Sequence, residues 1–213
     1  MAEYQEFPRY SLPTALLRSL FQNFPILMLS YLFSPAIVGF YALSNRLVKM
    51  PVALFSDSFR RVFLQKISEM LNAGRSIEKA LLKTTLFLAV GGACCFLPIV
   101  LYAEELFALL LGSAWAPAGV YTAILTPWFL SMFVQAPSAA VMVVLRKQVY
   151  LLRIQVFALI SAAVVFFIAK VLLASPEEAL AYFSVVSTLA NVGIIAYAFR
   201  LTRTVRGQDA GQA

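Results

Sequence analysis

The stretch Leu81 to Tyr102, "LLKTTLFLAVGGACCFLPIVLY", contains a single charged residue, Lys83. As a helix it is long enough to cross a hydrocarbon layer about 30 Å thick. In lipid no water is available to satisfy peptide groups, so a run of this kind folds as a helix. Similar apolar runs recur along the chain, and the sequence predicts six spans, at about 11–33, 36–58, 77–102, 120–145, 149–173 and 178–201. The expected architecture is an all-α integral membrane protein with one lobe, residues 11–201. A cytoplasmic N-terminal segment, 1–10, precedes it, and a disordered cytoplasmic tail, 202–213, follows.

Composition narrows the function. Of 213 residues, 62% are hydrophobic and 13% charged, and the mean hydropathy is +0.84, well above that of a soluble domain. The net charge of +7 would suggest nucleic acid in a soluble protein. Here it belongs to loops that set orientation, and no nucleic-acid partner is expected. The chain has no His, which excludes a His-centred metal site, a Ser-His-Asp triad and a His proton relay. No nucleophile sits beside a suitable base, so neither an enzyme nor a bound cofactor or metal is expected. Cys94 and Cys95 are adjacent within an apolar run and read as small buried apolar residues. "MAEYQEFPRY" lacks the basic start of a cleavable signal, so the first helix is expected to remain.

Loop charge predicts the orientation. Arg60, Arg61, Lys66, Arg75, Lys79 and Lys83 separate the second and third spans, Arg146, Lys147 and Arg153 fall between the fourth and fifth, and Arg200, Arg203 and Arg206 close the chain. Glu104, Glu105, Glu177 and Glu178 lie on the opposite connections. Both termini are thus expected in the cytoplasm. Trp115 suits a headgroup anchor after a short interfacial helix, and Lys170 suits a side chain that snorkels to the outer surface.

The exceptional residues are cations at depth. Counted from Pro35 at 1.5 Å per residue, Arg46 lies roughly 16 Å into the second helix, near the bilayer midplane. A central Arg costs about 2.5–3.5 kcal/mol on insertion scales, so such residues face a bundle interior or a watery cavity. Tyr41, Asn45 and Lys49 recur every four residues beside Arg46, and Arg18 and Gln22 share that spacing on the first span, with Ser19 and Asn23 adjacent. Ser131, Gln135 and Ser138 on the fourth span, and Ser184, Ser187, Thr188 and Asn191 on the sixth, form further polar faces. These sets would line one hydrated cationic cavity, or serve only as hydrogen-bond glue between helices. Asp57 reads as a solvated helix-end residue near Arg60 and Arg61, with ion coupling as its alternative role. Cations without an acidic counterpart at depth suit an anionic ligand, since Arg and Lys bind phosphate well. A drug/cation antiporter would instead place Asp or Glu there.

The run "FPRYSLPTALLRSLFQNFPILMLSYLFSPAIVGFYALSNRLVKMPVALF" resembles the start of the C-terminal half of bacterial polysaccharide flippases. These are the O-antigen and capsule type within the multidrug/oligosaccharidyl-lipid/polysaccharide exporter superfamily. "ELFALLLGSAWAPAGVYTAIL", with Gly112, Trp115, Gly119 and Tyr121, is similar to a loop and re-entry in that half. The resemblance implies a flippase in the bacterial inner membrane. It would carry undecaprenyl-pyrophosphate-linked oligosaccharide between leaflets by alternating access of two six-helix lobes. Carried over, the cavity cations are Arg18 and Arg46, then Lys49, and the expected substrate-binding set is Arg18, Gln22, Tyr41, Asn45, Arg46 and Lys49. Six spans amount to one lobe, so the implied partners are membrane lipid, a lipid-linked anionic glycan and a second six-helix lobe, as a separate chain or a second copy. The competing expectation is an inactive or accessory assembly subunit.

Overall fold

The computed structural model describes residues 6–172 and 175–210, with the side chains of 6–15, 17, 18, 21 and 204–210 outside that description. Among the described residues the structure is helical and has no strand: α1 (Glu6–Leu32), α2 (Pro35–Asn72), α3 (Glu78–Leu111), α4 (Ala116–Val134), α5 (Ala136–Val144), α6 (Gln148–Val171) and α7 (Pro176–Ala210). Four segments are long and apolar enough to cross a membrane: Glu78–Leu111, Ser113–Val144, Gln148–Val171 and Pro176–Arg203. The partly described α1 is not among them, nor is α2, whose apolar stretch Asn45, Arg46 and Lys49 dilute.

Local chemistry explains the breaks. Ser34 is extended (φ −74°, ψ 156°), and Pro35 opens α2 where no amide hydrogen is needed. At the far end, Gly74 (φ 64°) closes α2. Its amide bonds Leu71 O at 3.0 Å and the Arg75 amide bonds Met70 O at 2.8 Å, so a left-handed cap satisfies the last carbonyls. At α7 the Ser175 amide donates to Glu178 Oε2 (2.8 Å) and the Glu178 amide to Ser175 Oγ (3.2 Å). This reciprocal box starts the helix where the Ser-Pro pair predicts it.

Elsewhere the boundaries differ from expectation. No separate interfacial helix follows the third run, because α3 continues through Glu104 and Glu105 to Leu111 and turns only at Gly112 (φ 97°). A 3-10 turn, Ser113–Trp115, then leads into α4. The expected fourth span is two helices, interrupted at Gln135. Pro137 accounts for the break, since it lacks an amide hydrogen for the carbonyl four residues earlier. Pro51, Pro98 and Pro127 sit inside continuous helices. The tail expected to be disordered from 202 instead extends α7 to Ala210.

α4 is the central helix, packing against α3, α2 and α7, while α6 joins α1 to α7. The most apolar 18-residue stretch within Ser113–Val144 is 67% buried, against 22% for that within Glu78–Leu111 at the rim. Cys94 and Cys95 are accordingly exposed on α3, contrary to the buried reading: they fall outside the Leu81, Thr85, Leu88, Gly92, Phe96 stripe that faces the bundle. One core cluster centres on Trp128, stacked on Phe129 (5.2 Å) and edge-on to Phe183 (5.0 Å). A second gathers Phe63, Ile67, Leu81, Met142 and Ile194 toward the basic end. Trp115 meets the Phe40 ring edge-on at 5.8 Å, and Lys170 Nζ lies 4.6 Å over Tyr31 with its hydroxyl at 3.3 Å.

The α3–α4 crossing depends on missing side chains. A Cβ on Gly119 would strike the Ala103 carbonyl oxygen and Glu104 Cα, which are backbone atoms that cannot swing away. Gly91 has nothing within 4 Å. Gly119→Ala is therefore expected to lower unfolding stability in micelles by about 1–3 kcal/mol. Gly91→Ala is expected to hold it or raise it by up to about 1 kcal/mol. Equal midpoints for the two variants would refute this account of the crossing.

Candidate functional site

The arrangement of the first three polar helices follows from one stripe on α2. Arg46, Lys49, Ala53, Asp57 and Arg60 recur at helical spacing and therefore share a side of the helix. The lower part of that stripe opens on a cavity of about 220 Å³ between α1, α2 and the α4–α5 interruption. Gln22, Lys49, Ser56, Asp57, Arg60 and Gln135 supply its polar lining. At about 30 Å³ per water, the space holds roughly seven waters and is small beside an oligosaccharide.

Each group is positioned by its element. Lys49 Nζ lies 5.7 Å from the centre of the Trp128 ring, so the core aromatic fixes the ammonium against α4. Arg60 pairs with Asp57 at 3.6 Å, one turn apart on α2, and Asp57 lies within that helix, which runs on to Asn72, and not at its end. Gln135 is only 2% exposed, and its Oε1 has no donor among the described residues. The buried Ser56 Oγ likewise has no partner, and the Arg60 Nε donor no acceptor, among the described residues. Leaving a buried polar group unpaired costs about 1–3 kcal/mol, so water or another polar group in the cavity would be stabilised beside these three.

The residues expected from sequence are only partly brought together. Gln22 and Lys49 line the cavity. Arg46 is exposed, two turns before Ala53 and about 10 Å toward the start of α2, and it meets no carboxylate among the described residues. Asn45 is half-buried with its Oδ1 unpaired. Tyr41 is fully buried in the core cluster that also holds Leu29 and Tyr121, and it is not among the residues lining the α2 cavity. Arg18 lies on α1, but its side chain is outside the described residues. Ser56 and Arg60 were not in the expected set, although the i+3/i+4 continuation of the Lys49 stripe beyond Pro51 points to Arg60.

No single cavity unites all four polar faces. Asn191 Nδ2 donates to Ser131 Oγ at 2.9 Å, linking α7 to α4, and Ser187 and Thr188 donate to carbonyls of their own helix. The Asn191–Ser131 pair acts as glue, while Ser138 Oγ, Ser184 Oγ and Gln135 Oε1 have no partner among the described residues, and of these three Gln135 lines the α2 cavity.

Long apolar helices, exposed apolar flanks and a polar cavity beside a mid-helix cation define the chain as a multi-pass helical membrane protein. A family model described as polysaccharide biosynthesis protein matches residues 1–120, more than half of the chain, and the protein belongs to that family. The match takes in α1, α2 and α3, and with them all of the polar cavity lining except Gln135. No curated protein and no solved structure matches.

The interhelical bond can be weighed directly. A double-mutant cycle of Asn191→Ala and Ser131→Ala, read by unfolding in micelles, is expected to give a coupling of about 0.6 kcal/mol. Gln135→Leu is expected to leave stability unchanged or higher, because an unpaired buried acceptor is removed.

Proposed function

We propose that the chain is one lobe of a flippase that carries undecaprenyl-pyrophosphate-linked oligosaccharide across the bacterial inner membrane during polysaccharide biosynthesis. All six expected spans, α1 and α2 included, cross the bilayer in this reading, with both termini cytoplasmic. A second six-helix lobe, from another chain or a second copy, completes the pathway. Membership in a polysaccharide biosynthesis family supports the substrate class.

One observation carries the reading: Arg46 is exposed on the outside of the bundle, on the stripe of α2 that leads into the polar cavity. A mid-membrane guanidinium facing lipid is costly, whereas one facing a second lobe across water is not. The pyrophosphate would meet Arg46 first and then Lys49, with Arg18, Asn45 and Gln22 beside them. Gln135 Oε1 would accept from a sugar hydroxyl. Buried Tyr41 supports the helix instead of touching the ligand. The Asn191–Ser131 bond favours a second reading of the α4 and α7 polar faces, in which they hold helices together as they would in an accessory assembly subunit.

Complementation of a flippase-deficient strain separates these readings. Rescue is expected only when a second lobe is supplied or when the chain self-associates. Arg46→Leu, at unchanged membrane abundance, is expected to lower glycan export about tenfold or more, the loss of one charge-assisted contact. Normal export by the Arg18→Leu, Arg46→Leu double variant would remove the assigned role.

A further inference from the structure

The α6–α7 interface opens into a groove of about 420 Å³. Small side chains hollow it: Ala158 and Ser161 on α6 and Ala190 on α7, with Gly193 bearing none. Phe157, 71% exposed, forms one wall. Apart from the Ser161 hydroxyl, the lining is apolar except at one end, where Arg153 stands. From Arg153 to Ser161 the slot is about 12 Å long, the reach of part of an acyl chain.

The charge at that end is not cancelled locally. Arg153 sits 5.5 Å over the Tyr150 ring, and no carboxylate lies within ion-pair reach of it among the described residues. Tyr150 in turn packs on Tyr197 at 4.5 Å, so the guanidinium rests on a platform spanning α6 and α7. Exposed Arg146 and Lys147 precede α6, and exposed Arg200 follows the groove on α7, so the slot ends in a basic rim. A basic pocket between membrane helices, continuous with an apolar slot, matches the two ends of an anionic lipid.

We infer that the α6–α7 groove is a binding site for an anionic phospholipid, with one acyl chain along Ala158, Ala190 and Gly193 and the headgroup phosphate on Arg153. The site lies apart from the α2 cavity and does not depend on the transport reading. A zwitterionic lipid would fill the slot and bring a phosphate, but its ammonium group would cancel the net charge that the basic rim attracts, and free phosphate would satisfy Arg153 without filling the slot.

The test uses the full chain in detergent, with retained lipid counted by native mass spectrometry after addition of phosphatidylglycerol or phosphatidylcholine. Wild type is expected to retain phosphatidylglycerol about fivefold better, the share of one interfacial cation. Arg153→Gln is expected to erase that preference while keeping residual retention of both lipids. Gly193→Leu, whose side chain enters open space, is expected to lower retention of both. If Gly193→Leu shifts the unfolding midpoint, Ser161→Leu serves as the second groove-filling variant. Equal retention of the two lipids by wild type, an unchanged preference in Arg153→Gln, or displacement of phosphatidylglycerol by inorganic phosphate alone would each overturn the assignment.

Discussion

The peptide group's need for a hydrogen-bond partner in a medium without water governs this structure. Helices meet it for the backbone, and the hydroxyl side chains follow the same rule by turning back on their own helix. Thr122 donates to Ala118 O, Thr126 to Thr122 O, Ser187 to Phe183 O and Thr188 to Ser184 O. Ser44 does both: it bonds Phe40 O on α2 and reaches Ala118 O on α4 at 2.5 Å. With so few bonds between helices, cohesion falls to close approach and ring packing. That explains why Gly119 sits at the α3–α4 crossing and why Trp128 occupies the middle of the bundle.

The cavity arises where this rule is broken. Pro137 stops α4, and the interruption leaves Gln135 buried with its amide oxygen unspent. On the facing helix, Lys49 and Arg60 arrive from one stripe, each already held: one by the Trp128 ring, the other by Asp57. An arriving anion would therefore compete with a carboxylate for Arg60, whereas Lys49 rests against an aromatic face. The two cations differ in what a ligand must displace.

Much of the fold was legible because helix breaks have chemical causes that do not depend on the surroundings. Ser34-Pro35 and Ser175-Pro176 mark starts in lipid as they do in water. Burial was less legible. In a soluble helix the apolar face is the buried face, but α3 is apolar all round, so nothing in its sequence says that Cys94 and Cys95 face out and Phe96 in. The same ambiguity hid the depth of Tyr41. Polar residues could be read as unwelcome to lipid, yet their partners could not: Asn191 and Gln135 share that property, and only three-dimensional packing makes one a strut and the other a lining residue. The extent of α3 escaped for a different reason, since Glu104 and Glu105 resemble a loop by charge while favouring a helix by propensity.

The unbroken run of α2 from Pro35 to Asn72 has a mechanical side. At 38 residues it is about 57 Å long, nearly twice the thickness of a hydrocarbon layer. Pro51, which cannot bond the Leu47 carbonyl, falls between Lys49 and the Asp57–Arg60 pair and forms a natural pivot within the rod. A swing of roughly 10° about that point would displace the distal tip by roughly 5 Å, about one helical turn. The helix that presents the cations thus has the geometry of a lever, in which a small change of angle beside Lys49 would become a large displacement at Asn72.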